Sequence, residues 1–227
     1  HTFQLYQKHE QPQRQAIKLE IWGIDNYNKW ESEQGDQTIS WAKACGFSGE
    51  SGDILWVPSE QMTIKKVIWV MGVKESPWVF AKLMNLLPEG YYSICSQSLE
   101  KDYPWHNMLL AWGLASYRFN RYKLGQGKSV YLEIPEDSIN KDLLLSELRS
   151  TFLVRDLVNT PAEDCTPAFL VEAIEEVADQ QQATYFSYQG QDLLDQGFPL
   201  VHAVGRASQY QPQVAGFTWG DPSHPRV

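Results

Sequence analysis

The chain has 227 residues, a formal net charge of −9 and 43% hydrophobic residues. That length suits one large or two modest domains that bury a core without disulfides or metals, and nine Trp, eleven Tyr and nine Phe exclude wholesale disorder. The acidic balance argues against nucleic acid as the main partner, because phosphate contacts need clustered Lys and Arg and the longest basic stretch here runs only from Arg118 to Lys128.

Ile17, Leu19 and Ile21 alternate with Lys18 and Glu20, the period of a half-buried strand. The continuous apolar runs Ile54–Val57 and Val67–Met71 predict strands covered on both faces. Helices are expected over Thr38–Gly46 and Trp78–Leu87, each closed by Gly or Pro, and Tyr91–Cys95 is a further strand. The clearest helical pattern spans Trp105 to Lys123, and its stripe is wide enough to be well buried. Val130, Leu132 and Ile134 alternate as another strand. Strands alternating with helices predict an α/β layer structure with a mainly parallel sheet.

The character changes near Ser138. Asn140–Val158 reads as one long amphipathic helix, which Pro161 ends by forcing Thr160 from helical geometry. A second helix opens with Thr166 as cap and Pro167 in the first position. A strand near Thr184–Tyr188, a short helix through Leu193–Leu194 and a strand over Val214–Trp219 follow. The expected organisation is a first α/β domain over residues 1–138, then residues 139–227 as a connecting helix and the start of a second α/β domain. Because that second sheet has barely begun, the sequence reads as cut at Val227, and His1 as a processed start.

Motifs for chemistry are sparse. Cys45, Cys95 and Cys165 lie about fifty residues apart, at no metal or redox spacing, and are expected as buried free thiols of a reducing compartment. The histidines at 1, 9, 106, 202 and 224 form no metal-ligand pairing; His106 and His202 are expected as hydrogen-bonded core or subsurface residues, and His224 as solvated. Gly125-Gln126-Gly127-Lys128-Ser129 imitates the end of a phosphate loop. Tyr122 stands where that loop needs Gly, and the order is helix then strand, so a turn is expected there. Asp164 is a candidate charge at the N-terminus of the helix that follows it. No apolar run reaches the ~18 residues of a membrane span and no signal-peptide pattern opens the chain, so a soluble cytoplasmic protein is expected.

Three segments carry more information. Arg155-Asp156-Leu157-Val158-Asn159-Thr160-Pro161 resembles the Arg-x-Leu-x-Asn-x-Pro signature at the entry to the catalytic domain of leucyl aminopeptidases, also called cytosol aminopeptidases. Val204-Gly205-Arg206-Ala207-Ser208, followed by Pro212 and the strand Val214–Trp219, is similar to the segment and first sheet strand that follow in that family. Ser116–Lys123 is similar to the end of the last large helix of the family's first domain. The resemblance covers residues 105–227 in order and spacing, and the first hundred only in their pattern of elements.

It implies a macro-domain-like first domain that helps organise a homohexamer, and a parent enzyme that removes N-terminal residues from peptides with two divalent metals (zinc, manganese or magnesium). The family's first metal ligands lie in a Lys-Gly-x-x-Phe-Asp-x-Gly-Gly segment that has no copy here. No catalytic, cofactor-binding or metal-binding residue is therefore assigned to this chain, which is expected to be inactive alone. Asn159 is read as a helix-end group, Gly205 and Ser208 as a turn, and Arg155 as paired with a carboxylate or solvated. The rival expectations are a non-catalytic assembly subunit and a macro-like module for an ADP-ribose-like ligand.

Overall fold

The computed structural model describes residues 3–7, 15–72, 76–95, 104–123, 125, 127–134 and 139–224. The chain divides into two compact units, His1–Leu153 and Val154–Val227, and the division falls within one long helix. In unit 1 the strands are β1 (Leu5–Tyr6), β2 (Ile17–Gly23), β3 (Ile54–Pro58), β4 (Ile64–Met71), β5 (Gly90–Cys95) and β6 (Val130–Glu133). They form one sheet in the order β1-β6-β5-β2-β4-β3, and every neighbouring pair is parallel except β3 with β4. The mainly parallel α/β sheet expected from the alternation of elements is thus present. The helices of this unit are α1 (Tyr27–Glu33), α2 (Asp36–Ala44), α3 (Val79–Leu86), α4 (Trp105–Ala115) and the first part of α5 (Lys141–Asn159).

Val67–Met71 is apolar throughout because β4 is covered on both sides. Val67, Trp69 and Met71 join Leu19 and Ile21 against Phe80 and Leu83 of α3, Trp112 of α4 and Leu148 of α5. On the other face Ile68 and Val70 join Trp22, Leu55 and Val57 against Trp30 of α1, Ala42 of α2 and Phe47. Each such side chain contributes about 1.5–3 kcal/mol by leaving water. Ile54–Val57 departs from the expectation of two covered faces. It is the antiparallel edge strand, with Leu55 and Val57 buried but Trp56 38% exposed. Trp41 blunts that edge by donating its indole N–H to the Trp56 carbonyl at 2.8 Å, and Pro58 has no N–H to offer a further strand.

α4 ends at Ala115, eight residues before the expected Lys123. Side chains take up its last carbonyls: Ser116 Oγ donates to Gly113 O at 2.6 Å, and Arg118 Nη1 donates to Ala115 O at 3.0 Å. Gly113 lets α4 approach α5, since a Cβ there would lie 2.6 Å from both methyl carbons of Leu148. The tryptophans do not all pack the core. Trp22, Trp30, Trp69 and Trp112 do, whereas Trp41, Trp56, Trp78 and Trp219 are exposed.

One ion pair lies half-sheltered beside the sheet. Lys66 Nζ donates to both oxygens of Glu20, at 3.0 and 3.1 Å, and to Gln34 Oε1 at 2.9 Å, which fills its three donor positions. The two side chains are only 15% and 17% exposed, so truncating one strands the other charge. Lys66→Ala is expected to cost about 1–3 kcal/mol, less than for a fully buried pair because some water reaches Glu20. The double variant Glu20→Gln/Lys66→Met is expected to recover most of it. Urea midpoints decide, and a Lys66→Ala midpoint equal to that of the parent chain sinks the argument.

In unit 2 the elements after α5 are α6 (Pro167–Gln180), β7 (Thr184–Gln189), α7 (Asp192–Asp195), α8 (Pro199–Gly205) and β8 (Gln213–Thr218). β7 and β8 pair antiparallel, from Thr184 opposite Thr218 to Gln189 opposite Gln213. Thr166 has extended backbone and its hydroxyl accepts from the Phe169 N–H at 3.3 Å, so it caps α6 with Pro167 behind it. Thr166→Ala should lower the stability of unit 2 by about 1 kcal/mol. A thermal melt followed by circular dichroism checks this, and an unshifted midpoint would remove the cap's importance.

Candidate functional site

The signature segment forms the end of one helix and the start of the next. α5 ends at Asn159, and Thr160 turns back on it, its backbone N–H and its hydroxyl donating to Asp156 O at 3.0 and 2.7 Å. The Asp164 and Cys165 N–H groups both donate to Pro161 O, at 3.0 and 2.8 Å, closing a turn that delivers Thr166 to its cap position. The helix-end reading of this segment therefore holds, with Thr166 supplying the side-chain cap. Val201–Gly205 lies on α8, a helix that the sequence did not announce. Gly205 is its last residue, and a Cβ there would lie 2.3 Å from Pro212 Cβ, so Gly lets the chain fold back toward β8. Ser208 N donates to Gly205 O at 3.0 Å, completing the expected turn.

Against α6, α8 and β8 lies an apolar groove of about 810 Å³, walled by Leu170, Ile174, Leu200, Val204, Pro212 and Val214. Among the described residues, its polar side chains are those of Ser208, Tyr210 and Gln213.

The remaining candidates resolve into structural roles. The phosphate-loop imitation uses its own groups: Lys128 Nζ donates to Asn85 O at 2.9 Å and Ser129 N to Glu89 Oε1 at 3.0 Å. Leu124 and Gln126 of that segment lie outside the described residues. His106 Nε2 meets Glu147 Oε2 at 2.6 Å and ties α4 to α5, as expected of a hydrogen-bonded subsurface residue. His202 is half-buried on α8 and His224 is exposed in a loop, while His1 and His9 lie outside the described residues. All three cysteines are free. Cys45 is exposed, against the expectation of burial, because it follows the last turn of the surface helix α2. Burial pushes the Cys95 thiol up.

Among the described residues no group of three or more His, Cys, Asp or Glu is placed to hold a metal ion.

Fold and segments together define an α/β protein of two units, with the turn between α5 and α6 at the entry to the second. Residues 17–135 match the family model described as M17 aminopeptidase, N-terminal domain, and residues 152–226 match the cytosol aminopeptidase family, catalytic domain. The chain belongs to the M17, or cytosol aminopeptidase, family. It is 24% identical to a probable cytosol aminopeptidase of Wolinella succinogenes over 193 residues, which is 78% of this chain and 40% of that protein. The crystal structure of the cytosol aminopeptidase from Coxiella burnetii superposes with a TM-score of 0.85 and 30% identity over 99% of this chain and 48% of that one. The bottromycin maturation enzyme BotP in complex with Mn shares the fold, with a TM-score of 0.65 at 19% identity, over 91% of this chain and 45% of that one. The chain thus spans about half the length of these relatives or less.

Proposed function

We propose that this chain is the N-terminal portion of a metal-dependent leucyl-type aminopeptidase, a hydrolase that removes N-terminal residues from peptides. Residues 1–138 serve as its macro-like N-terminal domain, and residues 139–227 as the linker helix and the start of the peptidase domain. The observation that carries this reading is the succession of the two family matches, N-terminal domain then catalytic domain, along one chain. The likeness to the Coxiella burnetii enzyme over 99% of this chain supports it.

In this reading the described residues build scaffold. α5 runs on into the Asn159–Thr166 turn, and α6 with the β7–β8 pair opens the peptidase domain. The metal ligands belong to the part of the relatives' length that this chain does not span, because no described cluster here suits them. The manganese named with BotP supports a divalent ion in the parent enzyme, where it would supply Lewis-acid chemistry. A homohexamer and a cytoplasmic location go with the same proposal, and no described helix is long and apolar enough to cross a membrane.

The test uses two purified proteins, the product of the whole gene and the 227-residue chain, each with Mn²⁺ and Leu-p-nitroanilide. Turnover by the whole-gene product and none by this chain is expected. Turnover by this chain alone would overturn its structural role, and an inactive whole-gene product would overturn the aminopeptidase reading.

A further inference from the structure

Unit 2 buries little of its own apolar surface. Among its described hydrophobic residues only Ala178 and Leu193 are fully buried, whereas the sheet of unit 1 carries a packed cluster on each face. The sheet of unit 2 has two strands, and among the described residues β7 and β8 pair only with each other. Two strands alone are at best marginal in water and need a third strand or a packed layer. The outer edge of β8 is not blunted either: Gln213–Thr218 holds no proline and no charged side chain to discourage a further strand.

The apolar groove adjoins that edge. α6 contributes Leu170 and Ile174, four residues apart, and α8 contributes Leu200 and Val204 at the same spacing, so each helix lines the groove with one apolar face. Val214 carries the apolar surface on to β8, and Phe217 and Trp219 are exposed near and just past the strand's end. The polar side chains of the groove, Ser208, Tyr210 and Gln213, come from the connection into β8 and its first residue, which leaves both helix walls apolar. Exposed apolar residues scattered singly are ordinary, but a continuous apolar groove of about 810 Å³ beside an open strand edge marks an interaction surface.

The relatives indicate what covers it. The match to the catalytic domain of the family, residues 152–226, coincides with unit 2. The chain superposes over 99% of its own length on the Coxiella burnetii enzyme but accounts for only 48% of that chain. About half of that relative therefore lies outside the match, and the order of the two family matches assigns the remainder to the peptidase domain. We propose that this remainder of the peptidase domain is the occupant: it adds a strand alongside β8 and sets apolar side chains in the groove formed by α6, α8 and β8. Leu200 and Val204, which face water in this chain, are then core residues of the parent's peptidase domain. The inference rests on the reading of the chain as the N-terminal portion of an aminopeptidase, and it concerns how that enzyme folds rather than its chemistry.

The experiment compares the 227-residue chain with the whole-gene product by hydroxyl-radical footprinting and thermal melting, with no turnover among the readouts. Oxidation at Leu200 and Val204 is expected to be fast in this chain and largely lost in the whole-gene product. The double variant Leu200→Asp/Val204→Asp should leave the melting midpoint of this chain within about 2 °C, because the two side chains are already 79% and 85% exposed. In the whole-gene product the same variant should lower the midpoint by at least about 5 °C, because two carboxylates enter an apolar layer. Should it fail to fold there, footprinting of the two unaltered proteins decides alone. Equal oxidation in both proteins, or equal midpoints for the variant and unaltered whole-gene products, overturns the proposal and leaves the groove to a diffusible partner. Protection of α8 already in this chain, rising with its concentration, assigns the groove to a second copy and also overturns it. A whole-gene product that hydrolyses no peptide yet shields α8 overturns the aminopeptidase reading alone, and an active one with α8 in water overturns this proposal alone.

Discussion

Trp112→Ala is expected to lower the stability of unit 1 by about 3–5 kcal/mol, the range for removing a large aromatic from a packed core. Trp112 is fully buried at the centre of the larger cluster, among residues from β2, β4, α3 and α5. Its indole N–H also donates to Gln4 O at 3.1 Å, tying the residue just before β1 to α4 across 108 positions of sequence. The alanine variant loses the apolar surface, leaves a cavity the surrounding strands cannot close, and releases a hydrogen bond of about 1 kcal/mol. Trp112→Phe keeps most of the volume and loses only the hydrogen bond and one ring, so it should cost roughly half as much. Urea unfolding followed by tryptophan fluorescence and circular dichroism measures both. A loss under 1.5 kcal/mol for Trp112→Ala would mean that α4 is not held by this core.

The same core explains what was legible in the sequence. Val67–Met71 and Val130–Ile134 announced β4 and β6 because continuous or alternating burial leaves a direct trace in residue type. Thr166-Pro167 announced α6 through backbone chemistry that needs no tertiary context. Where context decides, local patterns failed. Ile54–Val57 carries the apolar content of an inner strand but lies at the sheet's edge, a position set by topology. Phe119 continued the periodicity of α4, yet the chain has left the helix there and its ring meets that of Tyr122 edge to face at 5.8 Å. β1 has only two residues, too few for any period, and α1 reads as polar apart from Tyr27 and Trp30. α8 has no polar face to mark it, with Leu200 79% and Val204 85% exposed.

The candidate site divides in the same way. The Asn159–Thr166 turn is contiguous in sequence and could be read as a helix end before its coordinates were known. The apolar groove draws its residues from α6, α8, β8 and the connection between the last two. No spacing rule links Leu170 to Val204, so only the packed elements reveal that they line one groove.

Alkaline pH is expected to remove about 4 kcal/mol of stability between pH 10 and pH 12. Tyr6 and Tyr92 are both pushed up from 10.0 to about 12, each first by burial, and Tyr6 further by the neighbouring Glu133 charge. Tyr6 is 8% exposed and Tyr92 fully buried, so solvent screens neither phenol strongly. Their hydroxyls donate to backbone carbonyls, Tyr6 to Tyr92 O at 3.4 Å and Tyr92 to Pro88 O at 2.8 Å, which a phenolate cannot do. Between the two values the folded chain keeps both protons while the unfolded chain gives them up. Stability therefore holds below about pH 10 and falls as pH rises toward 12, by about 2 kcal/mol for each phenol over that interval at 1.36 kcal/mol per pKa unit. Tyr27, raised chiefly by burial, adds to the same slope. Urea midpoints taken at intervals from pH 9 to pH 12, with phenolate absorbance recorded in parallel, measure the effect. Tyr92→Phe should flatten the curve by about half, because a ring without a hydroxyl has nothing to ionise. A flat profile in the unaltered chain would mean that both phenols titrate as freely as in the unfolded state, and that the β1–β6–β5 side of the sheet admits water to them.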